Sequence, residues 1–225
     1  MLALCIAPTP ALVSVTSAAA VAKQASDSFG RGAVHVERRW LSDALLPRVR
    51  LAADDMVQRV ATTASFGGVN VDATVRHCAT VDLLSGAAWD VMPPALCELV
   101  GAVDELRAEL RLATGRPLLD EAELQLLAYP AGGHYSRHVD DGVSTAHLPV
   151  RRSISMIVYL TDDDWITERD GGALRVHCDE GSPPFYDVAP EPGSLVIFDS
   201  SSVSHEVLQT ARARLACVGW FLVER

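Results

Sequence analysis

The chain has 225 residues, of which 49% are hydrophobic, and its formal net charge is −10 at pH 7. A hydrophobic fraction this high excludes wholesale disorder, and the length suits one domain with a substantial core. Basic residues form only short pairs such as Arg38-Arg39, so the acidic balance argues against a nucleic-acid partner.

The first residues differ in composition from the rest of the chain. Met1–Ala22 contains no charged side chain and is rich in small and aliphatic residues. Pro8 and Pro10 interrupt this run, which argues against a stable membrane span. A secretory signal begins with basic residues, whereas the first base here is Lys23. We therefore predict a leader or disordered tail over residues 1–32, with targeting to an organelle as an open alternative.

Helical patterns dominate the next part of the chain. After a short predicted strand within Gly32–Leu41, Leu45–Thr62 has helical periodicity. A second helix is predicted over Pro93–Thr114, and Gly115 and Pro117 are typical of its end. The apolar stripe of this helix is most simply explained by packing against a sheet.

Strand-like runs dominate from Glu123 onward. They read LQLLAYP, SISMIVYL, GALRVH, SLVIF, HEVLQT and RLACVGWFLV, and glycine or proline pairs separate them. Helices followed by many short strands predict an α+β fold, in which N-terminal helices buttress a double-stranded β-helix related to the jelly roll. This domain is predicted to span residues 33–225.

Two histidines and one carboxylate recur in a pattern that suits a metal. His138 and Asp140 are two residues apart, so their side chains leave the same face of an extended segment, and His205 belongs to another strand-like run. Two imidazoles and one carboxylate on one face of a ferrous ion leave open positions, which is typical of non-haem Fe(II) oxygenases. The pattern therefore predicts an iron site.

Arg214 follows the second histidine by nine residues and opens the apolar run Arg214–Val223. An arginine in such a run is costly to bury unless an anion pairs with it. The far (C5) carboxylate of 2-oxoglutarate, held in a two-point contact, would be that anion.

The remaining histidines and the cysteines carry no comparable pattern. We interpret the other histidines as surface or hydrogen-bonded residues: His35, His77, His134, His147 and His177. Five cysteines without a CxxC pair argue against a disulfide framework or a zinc site and favour a reducing compartment. Cytoplasm or nucleus is therefore favoured, and organelle targeting by residues 1–25 stays open.

From these motifs, residues 33–225 are seen to resemble the 2-oxoglutarate- and Fe(II)-dependent prolyl 4-hydroxylase domain, and within it the hypoxia-type enzymes. Collagen-type enzymes usually carry lysine at the position of Arg214, which favours the hypoxia-type branch. The matching segments are Tyr129-Pro130, His138-Val139-Asp140, Arg151–Leu160, Gly171–Val176, Pro190–Val207, Arg214 and Trp220-Phe221.

The resemblance implies a role for nine residues. Iron would be held by His138, Asp140 and His205. The co-substrate would contact Arg214, Tyr159 and Tyr129, the first two through its C5 carboxylate. The peptide entrance would be lined by Arg152, Tyr135 and Trp220. Tyr159 and Trp220 would otherwise be core aromatics, since buried Tyr and Trp pack with one polar partner.

The implied activity is hydroxylation of a proline in a target protein, with Fe(II), 2-oxoglutarate, O2 and ascorbate, as an oxygen-sensitive modification. The alternatives are a 2-oxoglutarate oxygenase for another substrate class, such as a free amino acid or another peptide side chain, and a catalytically silent binding module. Three departures from the family affect the substrate rather than the iron: a shorter loop before His138, Asp141 in place of asparagine, and a short segment over Phe66–Thr80. We expect Asp141 to be solvated.

Overall fold

The structure, a computed structural model, describes residues 16–29, 32–60, 62–63, 65–66, 69–70, 72–141, 149–178 and 183–225. The helices are α1 (Ala18–Ser26), α2 (Leu46–Val60), α3 (Gly86–Trp89), α4 (Pro94–Thr114) and α5 (Thr167–Asp170). The strands are β1 (His35–Glu37), β2 (Thr62–Thr63), β3 (Ser65–Phe66), β4 (Val69–Asn70), β5 (Arg76–His77), β6 (Ala79–Asp82), β7 (Ala122–Tyr129), β8 (His134–His138), β9 (Val150–Tyr159), β10 (Leu174–His177), β11 (Phe185–Val188), β12 (Leu195–Asp199), β13 (Ser204–Val207) and β14 (Arg214–Glu224).

Two antiparallel sheets form the β core. The larger has seven strands in the order β1-β12-β9-β14-β7-β6-β2, and the smaller has five in the order β11-β10-β13-β8-β5. Apart from the consecutive pair β10 and β11, neighbours in both sheets are far apart in sequence, as a double-stranded β-helix requires. The predicted α+β architecture is confirmed.

The larger sheet is apolar on both faces, because each face covers a different core. Alternate residues along each strand point to opposite faces, so one strand serves both cores. Toward the smaller sheet, its strands bury Leu127, Tyr129, Ile157, Tyr159, Val196, Phe198, Ala216, Val218, Trp220 and Leu222. The opposite face packs in a single cluster with the helices, which explains why these strands read as continuous apolar runs.

The two long helices lie where the sequence predicts them. α4 begins after Pro93 and ends at Gly115, whose φ of 65° is the left-handed conformation that glycine adopts readily. Leu96, Leu99 and Leu106 of α4 are fully buried in the cluster that the helices share with the sheet, and α4 packs mainly against α1 and α2. Among the described residues, no helix is both long enough and apolar enough to cross a membrane.

The N-terminal segment differs from the expectation of a leader or tail over residues 1–32. α1 lies within that range and packs along α4, with Val21, Ala22 and Ala25 fully buried. Ser17 caps it by accepting a hydrogen bond from the Ala20 amide at 3.3 Å. The helix is short and follows an uncharged run, so only its burial against α4 marks it as part of the domain. Residues 1–15, and with them any targeting role, lie outside the described residues.

We expect Val21→Ala to destabilise the whole domain, because it removes buried methyl groups between α1 and α4. The expected loss in the free energy of unfolding is ~1–3 kcal/mol, measured by urea denaturation. Gln24→Ala, on the exposed side of the same helix, should leave the midpoint within error. Equal midpoints for both variants and wild type would show that α1 is not part of the cooperative unit.

Candidate active site

The three predicted metal ligands come together at one end of the smaller sheet. β8 and β13 pair antiparallel and place His205 directly opposite His138. Asp140 follows β8 by two residues, with its Oδ1 3.4 Å from His138 Nε2 and its Oδ2 3.9 Å from His205 Nε2. One donor atom of each residue lies within 4.8 Å of the other two, and the described residues contain no other such group.

Backbone carbonyls orient both imidazoles. His138 Nδ1 lies 2.8 Å from the Ser136 carbonyl oxygen, and His205 Nδ1 lies 3.0 Å from that of Val203. A carbonyl only accepts, so each Nδ1 carries a proton and each Nε2 is the ring nitrogen that faces Asp140. Such carbonyl contacts are the usual way in which proteins fix metal-binding histidines.

The charge states also suit a cation. Burial lowers the pKa of His205 to about 4, against the opposing effect of Asp140, so this imidazole is neutral at neutral pH. Burial works against ionisation of Asp140, but His205, His138 and Arg152 together hold its pKa below the ordinary value. Two imidazoles and one carboxylate fit ferrous iron, so the residues present match the ion that the sequence predicts.

Arg214 is a buried cation that lacks an anionic partner among the described residues. Its side chain is 5% exposed at the start of β14, opposite Tyr129. Nη1 donates to the Gly172 carbonyl at 2.7 Å, whereas Nε has no partner. A Cβ at position 172 would lie 3.2 Å from Arg214 Cδ, so glycine permits this close approach. A buried guanidinium of this kind fits a ligand carboxylate.

Two tyrosines enclose that guanidinium. Its carbon atom lies 4.8 Å from the ring centroid of Tyr129 and 5.4 Å from that of Tyr159. The Tyr159 hydroxyl is buried without a hydrogen-bond partner. Burial raises the pKa of Tyr159 to about 12, although Arg214 acts in the opposite direction. The phenol is therefore neutral and retains a proton to donate.

The three predicted substrate residues fall into two groups. Arg152 lies over Trp220, with its guanidinium carbon 3.7 Å from the ring centroid, and it bonds Glu123 through Nε at 2.9 Å. A register shift between β9 and β14 turns Arg152 to the same side as Trp220. Tyr135 is separate from this pair and stacks on the His138 ring at 3.7 Å.

Sequence patterns did not reveal Arg76, a second buried cation near the iron ligands. It is 6% exposed, its guanidinium lies 4.9 Å from the centroid of the Tyr135 ring, and its Nε has no partner. None of the described carboxylates forms an ion pair with it. The signal was the alternation of two buried residues, Arg76 and Cys78, around exposed His77, and the two-residue edge strand β5 is too short for this pattern to stand out.

The structure also settles several secondary expectations. Asp141 is outside the ligand group, but it is 10% exposed beside Arg151 and Arg225, so the expectation of a solvated side chain is wrong. His134 and His177 hydrogen-bond Thr74 and Glu206, as expected of non-ligating histidines. His147 and parts of Phe66–Thr80 lie outside the described residues.

Comparison with known proteins agrees with this geometry. A family model described as the 2OG-Fe(II) oxygenase superfamily matches residues 124–222, which include all three candidate ligands. A prolyl-4-hydroxylase from Pseudomonas putida is 27% identical, with a TM-score of 0.75 over 92% of this chain and 99% of that chain. A Trichoplax adhaerens prolyl hydroxylase, solved with a hypoxia-inducible-factor peptide, is 18% identical, with a TM-score of 0.77 over 91% and 90%.

Enzymes that catalyse other reactions have a similar fold. The nogalamycin-biosynthesis carbocyclase SnoK, which depends on α-ketoglutarate, is 14% identical, with a TM-score of 0.66 over 92% of this chain and 86% of that chain. Fold similarity at this level carries no information about substrate. The family match over residues 124–222 and the prolyl-hydroxylase-like structure together support a 2-oxoglutarate- and Fe(II)-dependent dioxygenase.

Proposed function

We propose that the protein is a prolyl 4-hydroxylase that acts on a proline within a protein or peptide. The observation that carries this proposal is that the barrel with the candidate iron ligands also contains two different environments. One is the buried pair Arg214 and Tyr159, and the other is the Arg152–Trp220 pair with Tyr135. The first suits a small dicarboxylate, and the second suits a larger substrate. The 27% identity to a bacterial prolyl-4-hydroxylase supports the choice of proline.

The cofactor assignments follow from this arrangement. His138, Asp140 and His205 would hold Fe(II), and Arg214, with the Tyr159 hydroxyl, would hold the C5 carboxylate of 2-oxoglutarate. Bound together, iron and 2-oxoglutarate supply O2 activation, which converts a substrate C–H bond into C–OH and releases succinate and CO2. Ascorbate would keep the iron ferrous.

The chain itself positions the reactants and excludes water. Arg214 and Tyr159 satisfy a carboxylate with donors that otherwise lack partners, so binding removes an existing cost of burial. The inner wall of the barrel is apolar, and Phe198 packs at 4.8 Å against the His205 ring. A dry wall of this kind protects the reacting centre from competing reactions.

The substrate would be held on the side of Arg152 and Trp220. The Trp220 indole N–H is buried without a partner, so it is available to donate to a substrate carbonyl. Arg152 covers the same ring and would contact the adjoining part of the peptide. Tyr135, stacked on His138, would contact the target residue.

A second candidate function is oxidation of a free amino acid or another small anionic substrate. Arg76 favours it, because this buried guanidinium has no carboxylate partner among the described side chains. A substrate carboxylate would remove the cost of burying that charge. Under the first proposal, Arg76 would instead donate to peptide carbonyl oxygens.

The deciding experiment measures succinate formation with Fe(II), 2-oxoglutarate and ascorbate, against proline-containing peptides and free amino acids. We expect peptide-stimulated succinate together with a peptide product heavier by one oxygen atom, located on proline by fragmentation. Arg152→Ala should raise the peptide KM at least ~10-fold, since it removes a charged donor. The matched control is Arg175→Ala, because Arg175 on β10 is likewise paired with a carboxylate, that of Asp187 on β11.

Other outcomes identify other functions. Succinate formed only with a free amino acid would support the second candidate. Iron binding without turnover on any substrate would leave a catalytically silent binding module. An oxygen-sensing role stays a prediction, and it requires a KM for O2 above the cellular oxygen concentration.

A further inference from the structure

Two buried serines hold the carboxylate of Asp140. Ser155 Oγ lies 2.6 Å from Asp140 Oδ2, and Ser200 Oγ lies 2.7 Å from Ser155 Oγ. Both serines are 0% exposed. Sequence patterns gave neither serine a role, and their sequence positions are 45 residues apart. The fold therefore brings a chain of two hydroxyls to the candidate iron site.

The hydrogen bonds between Ser200, Ser155 and Asp140 all donate in the same direction, toward the carboxylate. A carboxylate that binds a metal is ionised and can only accept hydrogen bonds. The single proton of Ser155 is therefore used on Asp140, and the contact between the two serines must be a donation from Ser200 to Ser155. Hydrogen bonds aligned in this way polarise one another, so each strengthens the next.

Ser200, the first donor in this series of hydrogen bonds, is held by the backbone of the large sheet. The Ser200 amide donates to the Ser153 carbonyl at 3.2 Å, and the Ser200 carbonyl accepts from the Asp141 amide at 2.9 Å. The preceding residue, Asp199, forms a salt bridge with Arg116 at 2.5 Å. Ser200 therefore ties the end of β12 both to β9 and to the residue that follows Asp140.

At Asp140, the last acceptor in this series, one carboxylate oxygen remains for the metal. Oδ2 is engaged by Ser155, whereas Oδ1 is the oxygen that lies 3.4 Å from His138 Nε2. A carboxylate held through one oxygen favours metal binding through the other. Binding through a single oxygen matters here, because a bidentate carboxylate would occupy a position that 2-oxoglutarate or O2 requires.

We propose that Ser200 and Ser155 are positioning residues that present Asp140 to iron through Oδ1 alone. The inference rests on the proposed iron site. Ser155 lies on β9 opposite Phe198 and Trp220, and its neighbours along the strand are Ile154 and Met156. Alanine or a larger apolar residue would satisfy packing there, so the hydroxyl is explained by its bond to Asp140.

The test measures binding of Co(II) alone to the full-length protein by calorimetry, together with the visible spectrum of the bound Co(II). We expect Ser155→Ala to weaken affinity by roughly 10- to 100-fold, the usual effect of losing a hydrogen bond to a ligating residue. The Co(II) spectrum should also change, because the Asp140 carboxylate is no longer held in one orientation. Ser200→Ala should give a smaller loss, since Ser155 keeps its proton donation to Asp140.

The controls separate positioning from general damage to the core. Ser155→Thr retains the hydroxyl and should bind Co(II) within a few-fold of wild type. Ser194→Ala removes an equally buried hydroxyl at the other end of β12, where it bonds the Glu191 carbonyl, and should bind as wild type. Wild-type affinity and an unchanged spectrum in Ser155→Ala would overturn the inference, as would an equal loss in Ser194→Ala.

Three further outcomes are informative. If Ser155→Ala does not fold, Ser200→Ala decides, and unchanged Co(II) affinity in that variant would overturn the inference. If wild type and His138→Ala bind Co(II) equally, the iron assignment itself fails. A site that is sensitive to His138 but indifferent to both serines would leave the proposed function intact and refute this inference alone.

Discussion

We expect His138→Ala to remove metal binding and with it all coupled formation of succinate. The substitution deletes one of three donors whose atoms lie within 4.8 Å of one another, and a histidine and a carboxylate alone hold ferrous iron weakly. Turnover should fall at least ~100-fold, because the metal contributes several kcal/mol of stabilisation to the reaction. Succinate release and Mn(II) binding, measured on the same preparation, check both parts of the expectation.

The matched control is His177→Gln. This histidine lies on β10, the strand next to β13, and bonds Glu206 at 3.0 Å. It should retain metal affinity and turnover close to wild type. Full activity in His138→Ala at saturating Fe(II) would contradict the assignment. So would an equal loss in both variants, since that would indicate damage to the sheet.

The second large effect is expected at Arg214. Arg214→Met should raise the Kd for 2-oxoglutarate by roughly 30-fold or more, because removing one member of a buried charge pair costs ~2–5 kcal/mol. Without co-substrate, however, the substitution removes a buried charge that lacks an anionic partner among the described residues, so the Tm should not fall. Calorimetry in the presence of Mn(II), and thermal unfolding without co-substrate, measure the two quantities separately.

Two further variants define the contact. Arg214→Lys keeps the charge but loses the two-point geometry and should bind 2-oxoglutarate with intermediate affinity. Tyr159→Phe removes only the hydroxyl and should have the smallest effect of the three, as expected for one hydrogen bond to a charged group. Unchanged affinity in Arg214→Met would show that the carboxylate binds elsewhere. A fall in Tm equal to that of a core deletion would assign Arg214 a structural role.

Local patterns predicted much of the fold. α2 and α4 appear as helical stripes, and α4 ends at Gly115 as predicted, because the left-handed residue at its end favours glycine. The strands after Glu123 appear as apolar runs, because the large sheet is covered on both faces. α1 was not predicted as part of the domain, since its contacts are made almost wholly with α4, about 75 residues farther along the chain.

The same division holds within the candidate site. His138, Asp140, His205 and Arg214 carry chemistry that their residue types and spacing express, so the sequence alone predicted an oxygenase site. Arg76 carries no such signal. Its importance arises from its burial beside Tyr135, and burial is a property of the assembled barrel.

By itself, the sequence determined which atoms are available to bind iron and a dicarboxylate, together with the order of the helices and strands that carry them. Only the tertiary structure decided which side chains complete the site. Ser155 and Ser200 meet because antiparallel pairing of β9 and β12 brings together positions far apart in the chain. The physical reason is that hydrogen bonds and desolvation depend on distances of a few ångströms across strands, which spacing along the chain does not specify.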